Sequence, residues 1–298
     1  MRPEASYDHL LDRIRQAFPG INLERAVINT DGLVNVAVIN QGRVYRFARS
    51  DHAIRDLAHE TRILDLVRQH VEMPVPAFEV IAPDFVTYRF IPGEPLFRND
   101  ILRQPEAVQD RLACQLADFL RALHTIPAAD LTATGVNRSG GRQTAAEWLA
   151  LYESVQAELF PLMYRSTRTW VDAHFAPLVR DPDWLAYEPA LIHDDLAQYH
   201  ILHDPADARI TGVIDFGTAG LGDPARDYAM LISVYGEAVA RRMAQRDARI
   251  APLIDRARFY AGTFELQWVL GGVRSGVYDW FTAHLDRARD VLPYGQPL

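Results

Sequence analysis

The chain has 298 residues, a formal net charge of −8, 49% hydrophobic and 23% charged residues. These values exclude a mainly disordered, collagen-like or disulfide-scaffold chain, and the acidic balance argues against a nucleic-acid partner, whose footprint is basic. The length predicts one large domain or two lobes. No lysine occurs, so all 31 basic side chains apart from histidine are arginine. Cys114 is the only cysteine. An intrachain disulfide and a multi-cysteine zinc site are therefore excluded, and a reducing compartment is expected. Cys114 lies in the apolar pattern Leu112 to Leu123 and reads as a small buried hydrophobe. With no secretory pattern at the N-terminus and no apolar run near ~18 residues, a cytoplasmic location without membrane contact is expected. A monomer is expected.

The first ~90 residues read as strands with one helix. Val34 to Ile39 is a strand, Asn40-Gln41-Gly42 a turn, and Arg43 to Phe47 the return strand of a hairpin. Ala53 to Gln69 places Ile54, Leu57, Ile63, Leu64 and Val67 at helical spacing, and Pro74 and Pro76 end that unit. Asp84 to Ile91 is a short apolar run that suits a buried strand. Ile91-Pro92-Gly93-Glu94-Pro95 is a turn-rich connector and the expected hinge. Beyond it the chain reads as mostly helical: Ala107 to His124, Trp148 to Phe175, Tyr228 to Arg246, and two helices within Arg256 to Arg289 broken near Gly271-Gly272 and Gly276. Gly135 to Gly141 reads as a polar loop. Two short apolar runs, Ala190-Leu191-Ile192 and Ile210 to Phe216, read as a strand-and-loop insert in this helical bulk.

Each of those two runs is followed by a carboxylate: Leu191-Ile192-His193-Asp194-Asp195 and Gly212-Val213-Ile214-Asp215-Phe216-Gly217. A side chain just past a strand enters a cleft while a rigid scaffold holds it. Phosphoryl transfer asks for such a pair. One carboxylate orients the attacking hydroxyl and accepts its proton, and another ligates the Mg²⁺ that bridges phosphates. Asp195 suits the first role and Asp215 the second. Their alternative roles are a turn-forming Asx residue and a helix cap.

These segments make the chain resemble the aminoglycoside phosphotransferase family, small-molecule kinases with a protein-kinase-like fold. The resemblance rests on His193-x-Asp195-x4-His200, Asp215-Phe216-Gly217 and Gly222-Asp223-Pro224-x-x-Asp227. Tyr45-Arg46-Phe47, Phe160-Pro161-Leu162, His200-Ile201-Leu202 and Tyr278-Asp279-Trp280 are most similar to the 2''-phosphotransferases. Val234-Tyr235-Gly236-Glu237 looks like the macrolide phosphotransferases. The fold implied is α+β and two-lobed, with a small β-rich N-lobe (1–91), a larger, mostly helical C-lobe (92–298) and a hinge about 88–96.

The resemblance implies roles residue by residue. Asp195 is the catalytic base and His193 braces its loop. Asp215 ligates Mg²⁺. His200 stands where the family most often has Asn, as second metal ligand, directly or through water, since Mg²⁺ prefers oxygen. Asp227 anchors the loop through backbone N–H groups. Arg46 stands in place of the third-strand lysine and Glu60 in place of its helix partner; a surface ion pair is the other possibility. Asp31 and Gly32 belong to a loop over the phosphates or to a plain turn. The Arg89 carbonyl and Ile91 amide meet the purine edge. Tyr88, as gatekeeper, favours GTP over ATP, or packs in the lobe core. Asp195, Asp223, Glu237 and Glu265 would line a pocket for a polycationic acceptor, or be solvated surface acids. Phe264, Trp268 and Leu270 would line an apolar pocket or form ordinary helix core. Where an acidic pair is expected after Asp227, this chain has Ser233-Val234. The function implied is transfer of the γ-phosphoryl of GTP or ATP to an aminoglycoside hydroxyl. Alternatives are a macrolide acceptor, a small alcohol or sugar, or a nucleotide-binding pseudokinase.

Overall fold

The structure is a computed structural model that describes residues 7–30, 34–276 and 295. Helix α1 (Asp8–Ala17) precedes strands β1 (Val27–Asn29), β2 (Asn35–Asn40) and β3 (Arg43–Ala48). Helix α2 (Asp51–His70) and strands β4 (Glu79–Ala82) and β5 (Phe85–Arg89) complete this part. The strands form one antiparallel sheet in the order β1-β2-β3-β5-β4. Asn40 pairs with Arg43, so the β2–β3 hairpin turns on Gln41 and Gly42 alone. Both residues have positive φ, 47° and 75°, as a turn matching the right-handed strand twist requires. Alternation along β3 divides its side chains. Tyr45 and Phe47 join Leu10 and Ile14 of α1 in a buried cluster on one face, while Val44 and Arg46 lie on the other. Ser50 caps α2 through its hydroxyl, which accepts from Ala53 N at 3.2 Å. Helix α1 and strand β1 are additions to the sequence reading. Both are short, and α1 is held by its buried Leu10 and Ile14 rather than by a long periodic run.

Residues 90–93 lead to β6 (Glu94–Pro95), followed by α3 (Arg98–Leu102), α4 (Glu106–His124), α5 (Ala128–Thr134), α6 (Ala145–Ser154) and α7 (Arg165–Arg180). Then come β7 (Ala190–Ile192), β8 (Ile201–Asp204), β9 (Arg209–Val213) and β10 (Gly220–Gly222). Helices α8 (Ala225–Tyr235), α9 (Glu237–Arg246) and α10 (Ile254–Ser275) follow. Strand β8 pairs with β6 and β9, and β7 with β10, all antiparallel. The main core joins α2 (Ile63, Leu64, Val67) to α4, α8 and α10, so α2 is shared between the sheet and the helices.

Three helix expectations change. The run Trp148 to Phe175 is broken by a π turn, Val155–Leu159, and a 3₁₀ turn, Phe160–Leu162, because Pro161 cannot donate the helical bond. The run Tyr228 to Arg246 is cut at Gly236, whose φ is 89°. Helix α10 continues through Gly271-Gly272, with Val269, Leu270 and Gly272 buried, and ends at left-handed Gly276. Asp31, Gly32 and Tyr278-Asp279-Trp280 lie outside the described residues.

Candidate active site

The loop after β7 is shaped by one buried acid. Asp227, in the first turn of α8, is fully buried. It accepts the backbone N–H of His193 at 3.1 Å and of Asp194 at 2.8 Å, and His124 Nε2 lies 2.9 Å away. Burial pushes the Asp227 carboxyl up, but His124, His193 and the Asp194 N–H outweigh it and hold it below the usual carboxylate range. The chain then turns at Asp194, a non-glycine residue with φ of 65°. Its side chain accepts from Arg226 Nε at 2.6 Å. Left-handed backbone of this kind costs of order 1 kcal/mol or more and persists where surrounding contacts enforce it. It delivers Asp195 to the surface, with 39% of its side chain exposed.

His193 is fully buried. Its Nδ1 accepts from Asp195 N at 3.3 Å and its Nε2 faces the Ile214 carbonyl at 3.1 Å. Only the neutral Nε2–H tautomer satisfies both contacts, and burial lowers the ring's pKa accordingly. The imidazole ties the Asp195 loop to the residue before Asp215.

Asp215 follows β9 and also has positive φ, 66°. His200 stands between the two carboxylates. Its Nδ1 is 2.7 Å from the Asp195 carbonyl and 3.6 Å from Asp195 Oδ2, and its Nε2 is 3.4 Å from Asp215 Oδ2. On the far side of Asp215, Arg46 Nη2 lies 3.3 Å from Oδ1, and Arg46 Nη1 donates to Glu60 Oε1 at 2.9 Å. The Asn35 amide, turned with its oxygen to the guanidinium, accepts from Arg46 Nε at 3.0 Å and Nη2 at 2.7 Å. Glu60 is 1% exposed and also accepts from Phe216 N at 3.2 Å. Burial pushes its carboxyl up to about 6, against the pull of Arg46 and the Phe216 N–H. Burial pushes the Asp215 carboxyl up too, but Arg46, His200 and His193 hold it below its ordinary range. Glu60, Arg46, Asp215, His200 and Asp195 thus form one line from the interior to the surface.

This end of the line fits a hard divalent cation. Asp215 is ionised and 43% of its side chain is exposed. His200 Nδ1 is committed to a carbonyl, so the Nε2 lone pair faces a carboxylate oxygen, two acceptors that a cation between them reconciles. Among the described residues no group of three or more His, Cys, Asp or Glu could hold a metal. Mg²⁺ keeps waters and takes phosphate oxygens with one or two protein carboxylates, a donor set that Asp215 fits.

Val44 pairs with Tyr88 and Arg46 with Val86 across β3–β5, so Tyr88 shares the Arg46 face. Its ring meets Phe78 at 5.2 Å, and burial pushes its phenol up to about 12. Arg89 ends β5 and Ile91 follows in the connector.

Not all of the expected acceptor acids face outward. Asp223 is 1% exposed; it accepts from Arg256 Nε at 2.7 Å, Tyr260 Oη at 2.9 Å and Ala225 N at 2.9 Å. Glu237 is 2% exposed and buried against Arg258 Nε at 3.0 Å. These two carboxylates are turned inward because remote arginines reach them. Glu265 is also buried on α10. Trp268 is 49% exposed and lines a cavity of about 230 Å³ with Phe264, Gln267, Gly271 and Arg226. Arg226 is also the partner of Asp194, so this cavity and the Asp194 side chain share one guanidinium. Asn35, His124 and Arg226 are site residues that sequence reasoning missed. Arg226 stands at an unassigned position of Gly222-Asp223-Pro224-x-x-Asp227, and nothing local marks His124 or Asn35.

The family model described as "Phosphotransferase enzyme family" matches residues 29–260. Viomycin phosphotransferase of Streptomyces vinaceus is 31% identical over 279 residues, covering 89% of this chain and 93% of its own. The structure of the GDP complex of wild-type aminoglycoside 2'-phosphotransferase-IIIa superposes with a TM-score of 0.83 at 28% identity, over 95% of this chain and 97% of that one. The macrolide 2'-phosphotransferase MphH from Brachybacterium faecium has a TM-score of 0.72 at 22% identity, over 97% and 98% of the two chains, a likeness of fold. The α+β arrangement described above is the protein-kinase-like one.

Proposed function

The chain belongs to the phosphotransferase enzyme family, and from that premise we propose that it transfers the γ-phosphoryl group of GTP or ATP to a hydroxyl of an antibiotic, of the aminoglycoside or viomycin kind. The observation that carries this reading is the His200 imidazole set between the Asp195 and Asp215 carboxylates, within reach of Arg46. Acceptor, metal and phosphates are then served from one line of side chains.

Asp195 accepts the proton of the acceptor hydroxyl and aims its oxygen at the γ-phosphorus. The new O–P bond forms as the bond to the β-phosphate oxygen breaks, and the nucleoside diphosphate leaves. Arg46 receives the α- and β-phosphates, and Glu60 and Asn35 fix its orientation. Arginine serves here because its fork matches phosphate geometry. Asp215 and His200 would hold Mg²⁺, which when bound neutralises phosphate charge. His193 and Asp227 keep the Asp195 loop in place and touch no reactant. Tyr88, the Arg89 carbonyl and the Ile91 amide receive the purine, and Asp31 and Gly32 cover the phosphates. The strand-rich part, 1–91, and the helical part, 92–298, close on the nucleotide about residues 88–96.

A specific observation favours a second acceptor reading. With Asp223 and Glu237 turned inward, Trp268 and Phe264 offer aromatic surface in the cavity that shares Arg226 with Asp194, which suits a macrolide better than a bare polycation. The test is a coupled nucleotide-consumption assay with GTP and with ATP over aminoglycosides, viomycin, macrolides and small alcohols. Acceptor-dependent turnover with an aminoglycoside or viomycin is expected. Turnover with small alcohols alone would redirect the reading to a metabolic kinase. Nucleotide binding with no turnover on any acceptor would make the chain a pseudokinase.

A further inference from the structure

Behind the connector lies a second, open cavity of about 500 Å³, a size that suits small-molecule ligands. Arg46 does not line it, although Tyr88 of the Arg46 face does. Paired residues in β3 and β5 share a face, and the Arg43–Arg89 pair lies on the face opposite Arg46. The apolar part of its wall is Pro74, Val75, Ala77, Phe90, Ile91 and Pro92. Three guanidiniums line it, from Arg43, Arg89 and Arg209, against one acid, Glu79, which Arg43 Nη2 binds at 2.6 Å. Arg89 and Arg209 have no carboxylate partner among the described residues. The cavity therefore combines an apolar floor with two uncompensated cations. Thr211 adds a buried hydroxyl with no hydrogen-bond partner in its wall, the kind of orphan that a bound polar atom relieves.

The walls come from segments that any movement about the connector would separate. Arg43, Glu79 and Tyr88 belong to the five-stranded sheet. Arg209 and Thr211 belong to the β8–β9 hairpin that carries Asp215. The Pro74 carbonyl accepts from Val213 N at 3.0 Å. A Cβ at Gly212 would meet Ile91 Cγ2 at 2.7 Å, and one at Gly93 would meet Thr211 Oγ1 at 2.3 Å. The connector and the hairpin are therefore in van der Waals contact along this wall. Any molecule lodged there touches the sheet, the connector and the Asp215 hairpin together.

We propose that this rear cavity binds a small organic anion with a flat apolar body, gripped by Arg89 and Arg209, and that its occupancy couples to nucleotide binding through the connector the two sites share. The inference stands apart from the identity of the phosphoryl acceptor. Coupling is reciprocal: a ligand that changes nucleotide affinity has its own affinity changed by the same factor.

The test uses the full chain and two probes, 2-naphthoate and its uncharged counterpart 2-naphthylmethanol, titrated calorimetrically with and without saturating GDP and Mg²⁺. The expectation is one site for 2-naphthoate, retained under saturating GDP with a shifted affinity, and binding of 2-naphthylmethanol about fivefold weaker. Arg209→Glu, at an exposed strand end, should weaken 2-naphthoate roughly tenfold while GDP affinity measured alone stays the same. Equal binding of the two probes, indifference to Arg209→Glu, or no binding of 2-naphthoate would overturn the site. Competitive displacement by GDP would put the probe in the nucleotide cleft and overturn it too. Binding with no change in GDP affinity would overturn the coupling.

Discussion

The two sides of the Asp195–Asp215 line are built differently. On the phosphate side the charges are interlocked: Glu60 is fully buried, Arg46 is shared between Glu60 and Asp215, and Asn35 braces the guanidinium. On the acceptor side the charges are spent internally. Asp223, Glu237 and Asp194 are each neutralised by an arginine, and the cavity that shares Arg226 with Asp194 presents Trp268 with Phe264. A triphosphate is the same in every turnover, so its site gains from preorganised charge. In the proposed reading the acceptor meets aromatic surface, which is less committed to one charge pattern, so specificity there is open to change by few substitutions.

The sharpest break in this comparison is at the seam. Asp195→Ala should lower turnover by about 10²–10⁴-fold and leave GDP affinity intact, measured by steady-state kinetics and calorimetry; a fully active variant would show that the base lies elsewhere. Next, Asp227→Asn should destabilise the chain by about 2–4 kcal/mol. Asparagine has one acceptor oxygen for two backbone N–H groups and turns its own NH₂ towards one of them. Chemical denaturation measures this, and a change under 1 kcal/mol would mean that the loop has other support.

Glu60 makes both stability and activity depend on pH. The Glu60 carboxyl titrates at about 6 rather than its ordinary 4.5, so the folded chain holds a proton there that the unfolded chain releases. Stability from this residue is full below 4.5 and is lost as pH rises through about 6, a change of about 2 kcal/mol. Activity runs the other way, because a neutral Glu60 loosens Arg46. An acid limb near pH 6 in kcat/KM for nucleotide is expected, and Glu60→Gln should flatten it at a lower plateau. Survival of that limb in the variant would assign it to another group.

Smaller effects sharpen the contrast between the two sides. Trp268→Ala should raise acceptor KM about fivefold without moving nucleotide KM; a matching rise in nucleotide KM would tie Trp268 to the phosphate side. Tyr88→Ala should shift the GTP/ATP preference towards ATP by a few-fold, and an unchanged ratio would discard Tyr88 as the purine discriminator.

Much of the phosphate side was legible before the structure. Asp195 and Asp215 each follow a short apolar run, Asn40-Gln41-Gly42 reads as the turn of a hairpin, and Arg46 and Glu60 fall where the family resemblance puts a phosphate cation and its partner. The hidden parts share a cause. Asp223 reads as an acceptor acid until Arg256, far along the chain, is seen to take both its oxygens. Glu237 reads so until Arg258 is found beside it. His124 is an ordinary helix-end histidine until α8 brings Asp227 within 2.9 Å. Gly271-Gly272 reads as a break because two glycines cost a helix about 1 kcal/mol each, yet burial along α10 outweighs that cost.

By itself the sequence determined what short stretches prefer: strand alternation, the hairpin turn, and the placing of carboxylates just past apolar strands. Those preferences act over a few residues, through backbone sterics and side-chain period. Only the tertiary structure decided which charges answer one another, which acids turn inward and where cavities open. Pairing and desolvation depend on distance in space, and the residues concerned stand tens of positions apart in the chain.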